Sequence, residues 1–285
     1  MHLRTYLRLS SLGCAFLIAL SGLAGCDDSS NKQTSDGGQD SGRDGGDVQA
    51  DGSTVDGSAD GGDDASTPRV PHVLVLNDSP ADELADNGDP AGQLVAALEA
   101  ADIVAVNAGY YPEWDGATPS LTDVDVVVWF EGSYYGETIM ETMDSALQAF
   151  VNGGGTLVRT EWGGYSIDEE ATGINTMMPT FYDGGYAYSS TWSADMASHP
   201  YLSGITFPFA TLSGHSYMVT TENAVTIASL TNNESEPVTT PAVTEKAFGA
   251  GKVIHVNHDV LYTIDTLEPE LLKLFVNIAN ASIAD

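Results

Sequence analysis

Hydrophobic and polar positions divide the chain into three stretches. A single apolar run covers Leu12 to Leu20, residues 27–70 hold almost no large aliphatic side chain, and from residue 71 apolar positions recur in two rhythms. His72 to Asp78 is a short apolar run that turns polar at its end, the pattern of a buried parallel strand. Pro90 opens a helix through about Ala101, with Leu94, Val95 and Leu98 on one face. Ile103 to Val106 predicts a second strand, and the β-branched and aromatic run from Asp125 to Gly132 a third. Helical spacing returns at Ile139, Met143, Ala146, Leu147 and Phe150, so a helix is predicted over Glu137–Val151, closed by Gly153-Gly154-Gly155. Strands follow at Thr156–Trp162 and Gly251–Asp259, and a last helix over Glu268–Ile283. Strand and helix in alternation predict an α/β domain with a mostly parallel sheet covered on both faces. Residues 163–245 are rich in Gly, Tyr, Ser and Thr, with short strands expected near Ala187–Trp192, Tyr217–Thr221 and Ala224–Leu230. They form an irregular β-rich insertion, expected as hairpins and loops over one end of the sheet.

The start of the chain changes the picture from a domain to an anchored domain. Arg4 and Arg8 precede the Leu12–Leu20 run, which is too short for a comfortable membrane span and fits an export signal. It closes on Leu23-Ala24-Gly25-Cys26, which resembles the lipobox of bacterial lipoproteins. That resemblance implies a signal peptide over residues 1–25, lipidation of Cys26, and a domain held outside the cytoplasm in the cell envelope. Its partner would be the membrane itself, since each buried acyl methylene contributes about 0.8 kcal/mol. Asp27 resembles the inner-membrane retention signal of enteric bacteria. The only other cysteine, Cys14, lies inside the signal, so the mature chain has no thiol for a disulfide, a metal or a nucleophile. Residues 26–70 carry the lipid-modifiable Cys26 and then an Asp/Gly/Ser tether, which lacks the apolar surface to offset its ordering entropy and is expected to be disordered and extended. Its Asp-Gly pairs are irregularly spaced and match neither an EF-hand nor a nonapeptide calcium repeat.

Charge narrows the partners. The chain has 41 acidic and 9 basic residues, a net charge of −32. After residue 70 the basic residues are Arg159, Lys246, Lys252 and Lys273. A domain this acidic repels polynucleotides and anionic membrane surfaces, so nucleic acid is excluded as a partner.

Four segments carry a family likeness: Asp125–Gly132; Phe150-Val151-Asn152-Gly153-Gly154-Gly155 with its strand; His199-Pro200-Tyr201-Leu202-Ser203-Gly204-Ile205; and Phe248 to Asp259. In their order and spacing the region 71–285 resembles the class I glutamine-amidotransferase-like superfamily, in particular its trehalose-utilisation (ThuA-like) and other non-amidotransferase branches. The resemblance implies a flavodoxin-like doubly wound sheet. In amidotransferases the strand after the glycine turn delivers a nucleophilic cysteine and a late strand delivers a histidine. Here Thr160-Glu161-Trp162-Gly163-Gly164 stands at the first place, and a carboxylate cannot form the thioester that glutamine hydrolysis needs. His258 matches the late histidine, with Asp259 beside it to orient it.

Ligands of parallel α/β sheets bind beyond the carboxyl ends of the strands, which selects Asp78, Glu131, Glu161 and His258. Two carboxylates and a histidine suit acid–base work; a divalent metal is chemically open to them but not indicated, and no cofactor is expected. Ser133 lacks the G-x-S-x-G setting of a serine nucleophile. His72 and His215 are expected to be structural, and His199 a turn residue. The Tyr110–Trp114, Tyr134-Tyr135 and Tyr182–Trp192 segments supply aromatic surface for sugar rings or a protein partner. The leading expectation is a non-enzymatic lipoprotein domain binding a carbohydrate or an envelope protein, with Asp78, Glu131, Tyr134 and Trp162 as contacts. A sugar-processing hydrolase or isomerase using Glu161, His258 and Asp259 is the second, and a purely structural envelope protein the third.

Overall fold

The computed structural model describes residues 69–81, 89–132, 135–165, 173–212, 214–260 and 268–283. Cys26 and the tether lie outside these residues, as do Ser133 and Tyr134.

The parallel part of the sheet is built from β1 (His72–Asn77), β2 (Val104–Tyr110), β3 (Val126–Trp129), β4 (Thr156–Thr160) and the late strand β11 (Gly251–Val256). They lie in the order β2-β1-β3-β4-β11, each parallel to its neighbours. The apolar runs read as near-continuous because alternate residues serve two cores. Val73, Val75, Val126, Val128, Val158 and Ile254 face one hydrophobic cluster, while Leu74, Leu76, Val127, Trp129, Leu157 and Val253 face another. Helices α1 (Pro90–Ala100) and α4 (Pro269–Ala281) close the first cluster through Leu94, Leu98, Leu271, Phe275 and Ile278. Helix α2 (Glu141–Asn152) closes the second through Met143, Leu147 and Val151. The doubly wound α/β expectation therefore holds, with both faces covered.

Local chemistry sets the helix ends. The Asp89 side chain accepts from the Gly92 amide at 2.8 Å and Pro90 takes the first turn, where its missing N–H costs nothing. Helix α2 begins at Glu141 rather than Glu137, with Glu141 and Asp144 placed in its first turn, where the helix dipole favours negative charge. Beyond β4 comes a single short turn, α3 (Trp162–Tyr165).

The region 163–245 departs from expectation in its placement. It supplies β5 (Thr180–Ala187), β6 (Ser190–Ala194), β7 (Phe209–Thr211), β8 (His215–Thr220), β9 (Val225–Asn232) and most of β10 (Thr239–Phe248). Only β5 and β8 pair apart from the main sheet; β10, β9, β6 and β7 continue it beyond β11, all antiparallel, to nine strands among the described residues. The sequence hid β10 because Pro241, Thr244, Glu245 and Lys246 break its apolar rhythm. Pro241 is tolerated at a register shift against β9, where no ladder donor is required. The β10–β11 connection turns at Gly249, whose φ of +61° suits glycine.

Candidate functional site

The carboxyl ends of β1, β3, β4 and β11 converge, and the charged side chains there are buried: Asp78, Glu131, Arg159, Glu161, His258 and Asp259. They do not form one cluster. Asp78 accepts from the Gly132 amide at 2.6 Å and so ties the end of β1 to that of β3. Both oxygens of Glu131 are held by Arg159, Nε to Oε2 at 2.8 Å and Nη2 to Oε1 at 2.7 Å. Arg159 also donates to Asn175 at 2.7 Å and lies 4.2 Å from the Trp129 ring centre. Gly163 packs over this ion pair, and a Cβ there would fall 2.6 Å from Glu131 Oε2 and 2.9 Å from Arg159 Nε.

Glu161, at the junction of β4 and α3, has no such partner. Neither carboxyl oxygen has a well-aligned hydrogen-bond partner, the hydroxyl and amide of Ser216 lying near but off geometry. Burial raises its pKa to about 8; the hydroxyl and amide of Ser216 pull the other way, and the nearby negative charge of Asp259 adds to the rise. Asp259 accepts from Trp162 Nε1 and from the Tyr186 hydroxyl, each at 3.1 Å. Burial and the charges of Asp259 and Glu161 hold the Tyr186 hydroxyl far above the ordinary phenol range, so it stays a donor. Behind Glu161, His255 can donate from Nε2 to the Glu161 carbonyl (3.2 Å) while its Nδ1 accepts from Thr180 (2.7 Å). Burial lowers the His255 pKa to about 4, so the ring is neutral.

His258 belongs to a different group. Its Nε2 lies 3.3 Å from Glu268 Oε2, within ion-pair range although not aligned as a hydrogen bond. Its ring stands 6.2 Å from Trp192. Burial alone would raise Glu268, but His258 and backbone amides outweigh it, and the carboxyl lies below its ordinary value. Burial first, then His258, lower the pKa of the neighbouring His215 to about 4. Glu161 and His258 form no ion pair among the described residues.

No family model matches the chain, and no curated protein matches it in sequence. Solved structures do match in shape. A cytoplasmic protein of Salmonella typhimurium is similar at a TM-score of 0.53 and 17% identity, over 73% of this chain and 97% of that one. A ThuA-like protein from Bacteroides uniformis gives 0.50 and 14%, over 75% and 92%. The cold-adapted β-galactosidase of Rahnella sp. R3 gives 0.52 and 15% over 75% of this chain but 31% of its own length. The chain shares its fold with these proteins, ThuA-like ones among them.

Above Glu161 and Asp259 sits an aromatic cluster. Trp162 stacks on Tyr135 at 4.1 Å and 10° and on Tyr186 at 5.4 Å and 20°. Tyr165 meets both Tyr135 and Trp162 edge-on and continues to Tyr182, while Tyr186 continues to the exposed Tyr188. Among the sequence-selected residues, Glu161, Asp259 and Trp162 are thus brought together, while Asp78, Glu131 and His258 are engaged elsewhere and Tyr134 lies outside the described residues. Arg159, Glu268 and Ser216 were not singled out from sequence, and Tyr186 only as part of the Tyr182–Trp192 aromatic segment. A signal existed for Arg159: it is the one base inside a fully buried strand, and a buried guanidinium requires an acidic partner. Chemically, Glu161 is a carboxyl that keeps its proton near neutral pH beside a second buried carboxyl, Asp259.

Proposed function

We propose that this chain is an envelope lipoprotein, anchored through Cys26, whose ThuA-like domain binds carbohydrate on the aromatic cluster at the strand ends. The observation that carries the reading is the stacked Tyr135–Trp162–Tyr186 set, with the exposed Tyr188 at its edge and the Asp259 carboxylate beneath it. The exposed Tyr188 ring at the edge of the cluster suits the apolar face of a sugar ring, and the buried Asp259 carboxylate orients Trp162 and Tyr186 from below. The missing cysteine removes amidotransfer, and the closure over Glu161 argues for binding before chemistry, because its carboxyl oxygens lie beneath the surface. A thermal-shift titration with trehalose and galactose tests the reading: a midpoint rise is expected for the parent and its loss in Trp162→Ala. An unchanged rise in Trp162→Ala overturns the assignment to this cluster.

A second reading is favoured by one observation, the pKa of Glu161 raised to about 8. A carboxyl kept protonated at neutral pH is the form a general acid takes, so a sugar-processing hydrolase or isomerase would use Glu161 as acid and Asp259 as its ionised partner. His258, paired toward Glu268, supports this reading less than the sequence implied. Turnover of a chromogenic glycoside that disappears in Glu161→Gln would favour it.

A further inference from the structure

A second concavity, lined by residues the aromatic cluster does not use, opens at the ends of β1 and β2. It has a volume of about 810 Å³, in the range of small-molecule sites (about 300–1,000 Å³), and Asn77, Asn107, Tyr110, Glu113, Trp114 and Thr118 are among its walls. Two adjacent parallel strands bring matching amides to it. Asn77 Oδ1 accepts from the Ser79 amide at 3.1 Å, and Asn107 Oδ1 accepts from the Gly109 amide at 2.9 Å. These bonds fix both side-chain amides with Nδ2 as the remaining donor. Asn77 is fully buried and its Nδ2 has no partner, an unsatisfied donor of the kind that proteins keep rare. Gly109, at a φ of +81°, has nothing within 4 Å of where a Cβ would sit, which leaves this part of the wall open.

The electrostatics select what can enter. No basic side chain is among the described lining residues, and Glu113 is exposed on the wall. Tyr110 titrates above its ordinary range, first through burial and then through the charges of Glu137, Asp78 and Glu113, so three carboxylates act on the same space. An anion placed there meets like charge with no counter-charge. Hydroxyl and amide groups, by contrast, find the donors of Asn107, Tyr110 and Thr118, the carboxylate of Glu113 as acceptor, and the Tyr110 ring as a face.

We propose that this cleft is a second binding site that takes a neutral or amino sugar and rejects acidic ones. It stands independently of the aromatic cluster, because the two share no residue. The test is calorimetric titration of the full chain with glucosamine, N-acetylglucosamine and glucuronate, three ligands on one ring. Glucosamine and N-acetylglucosamine are expected to bind, and glucuronate at least about tenfold more weakly. Glucosamine, a cation at neutral pH, should bind more tightly than N-acetylglucosamine through Glu113, an advantage that Glu113→Gln erases, and Asn107→Ala with Tyr110→Ala should weaken both sugars in the parent and in Trp162→Ala alike. Binding of glucuronate as tight as glucosamine, titrations indifferent to Glu113 and Tyr110, or no binding by any of the three would overturn the proposal. Loss of binding in Trp162→Ala alone would move the sugars to the aromatic cluster, overturning this site but not the carbohydrate reading.

Discussion

Glu131 and Glu161 follow neighbouring strands of the same sheet, are equally buried, and have opposite solutions to the same problem. A carboxylate taken out of water must be neutralised by a partner or by a proton. At the end of β3 the partner is Arg159, with two hydrogen bonds of 2.7–2.8 Å. At the end of β4 no basic side chain pairs with the Glu161 carboxyl among the described residues, and burial keeps the proton on Glu161 until about pH 8. The first arrangement is a rivet, its carboxylate matched by a guanidinium. The second can gain and lose a proton near pH 8, and it sits beside Asp259 and the aromatic cluster. Depth of burial is therefore a poor guide to which acid is structural, and pairing is the better one.

The largest expected effect breaks the rivet. Arg159→Met leaves Glu131 buried and uncompensated, and a loss of about 3–5 kcal/mol is expected in urea denaturation; a loss below about 1 kcal/mol would mean that Glu131 is not held by this pair. Next comes the proton on Glu161. Its folded pKa is raised, so its stabilising effect is complete below about pH 4.5 and is lost as pH rises through about 8. Between about pH 6.5 and 8 stability should fall with a slope approaching 1.4 kcal/mol per pH unit, and Glu161→Gln should flatten that limb. A limb that survives in the variant would assign the proton elsewhere. The imidazoles of His215 and His255 supply the opposite limb. Both are depressed to about 4 by burial, so their contribution is present above pH 6.5 and is lost as pH falls toward 4. The stability profile should peak near pH 6.5, and His215→Leu should shallow its acid side only; a profile rising continuously to pH 8 would contradict both assignments.

Much of this frame was legible because the parallel strands serve two cores. Val73 and Leu74, or Val127 and Val128, are neighbours that face opposite helical layers, so both must be apolar and the run stands out. The antiparallel extension was less legible for the complementary reason. In β10, Thr239, Pro241, Glu245 and Lys246 are interleaved with buried Thr240, Ala242, Val243 and Thr244, and the pattern reads as a loop until β11 and β9 are placed on either side. At the site, the strand-end rule found Glu161 from position alone, and Asp259 entered only as the residue beside His258. The rule could not tell that His258 turns toward Glu268, ten positions further along the chain, or that Tyr186 arrives from β5. Those pairings depend on where the insertion lays its strands, and single-sequence periodicity carries no information on that.

The smallest expected effect is the sharpest probe of how the titrating end is coupled to its cover. Tyr186→Phe removes one hydroxyl that donates to Asp259 at 3.1 Å and leaves the ring stacked on Trp162. A cost of about 1.5 kcal/mol in stability is expected for one long hydrogen bond to a carboxylate. Asp259 then keeps the Trp162 donor, but its negative charge is less well compensated. A less stabilised charge on Asp259 acts more strongly on Glu161, so the basic limb of the stability profile should begin at lower stability without changing its slope. Carbon-detected NMR of the Glu161 carboxyl reads the same coupling directly, as an upward shift of its titration midpoint. An unmoved midpoint in Tyr186→Phe would separate the aromatic cover from the acid beneath it, leaving the cluster as a binding surface and Glu161 as a buried acid with no line to what binds there.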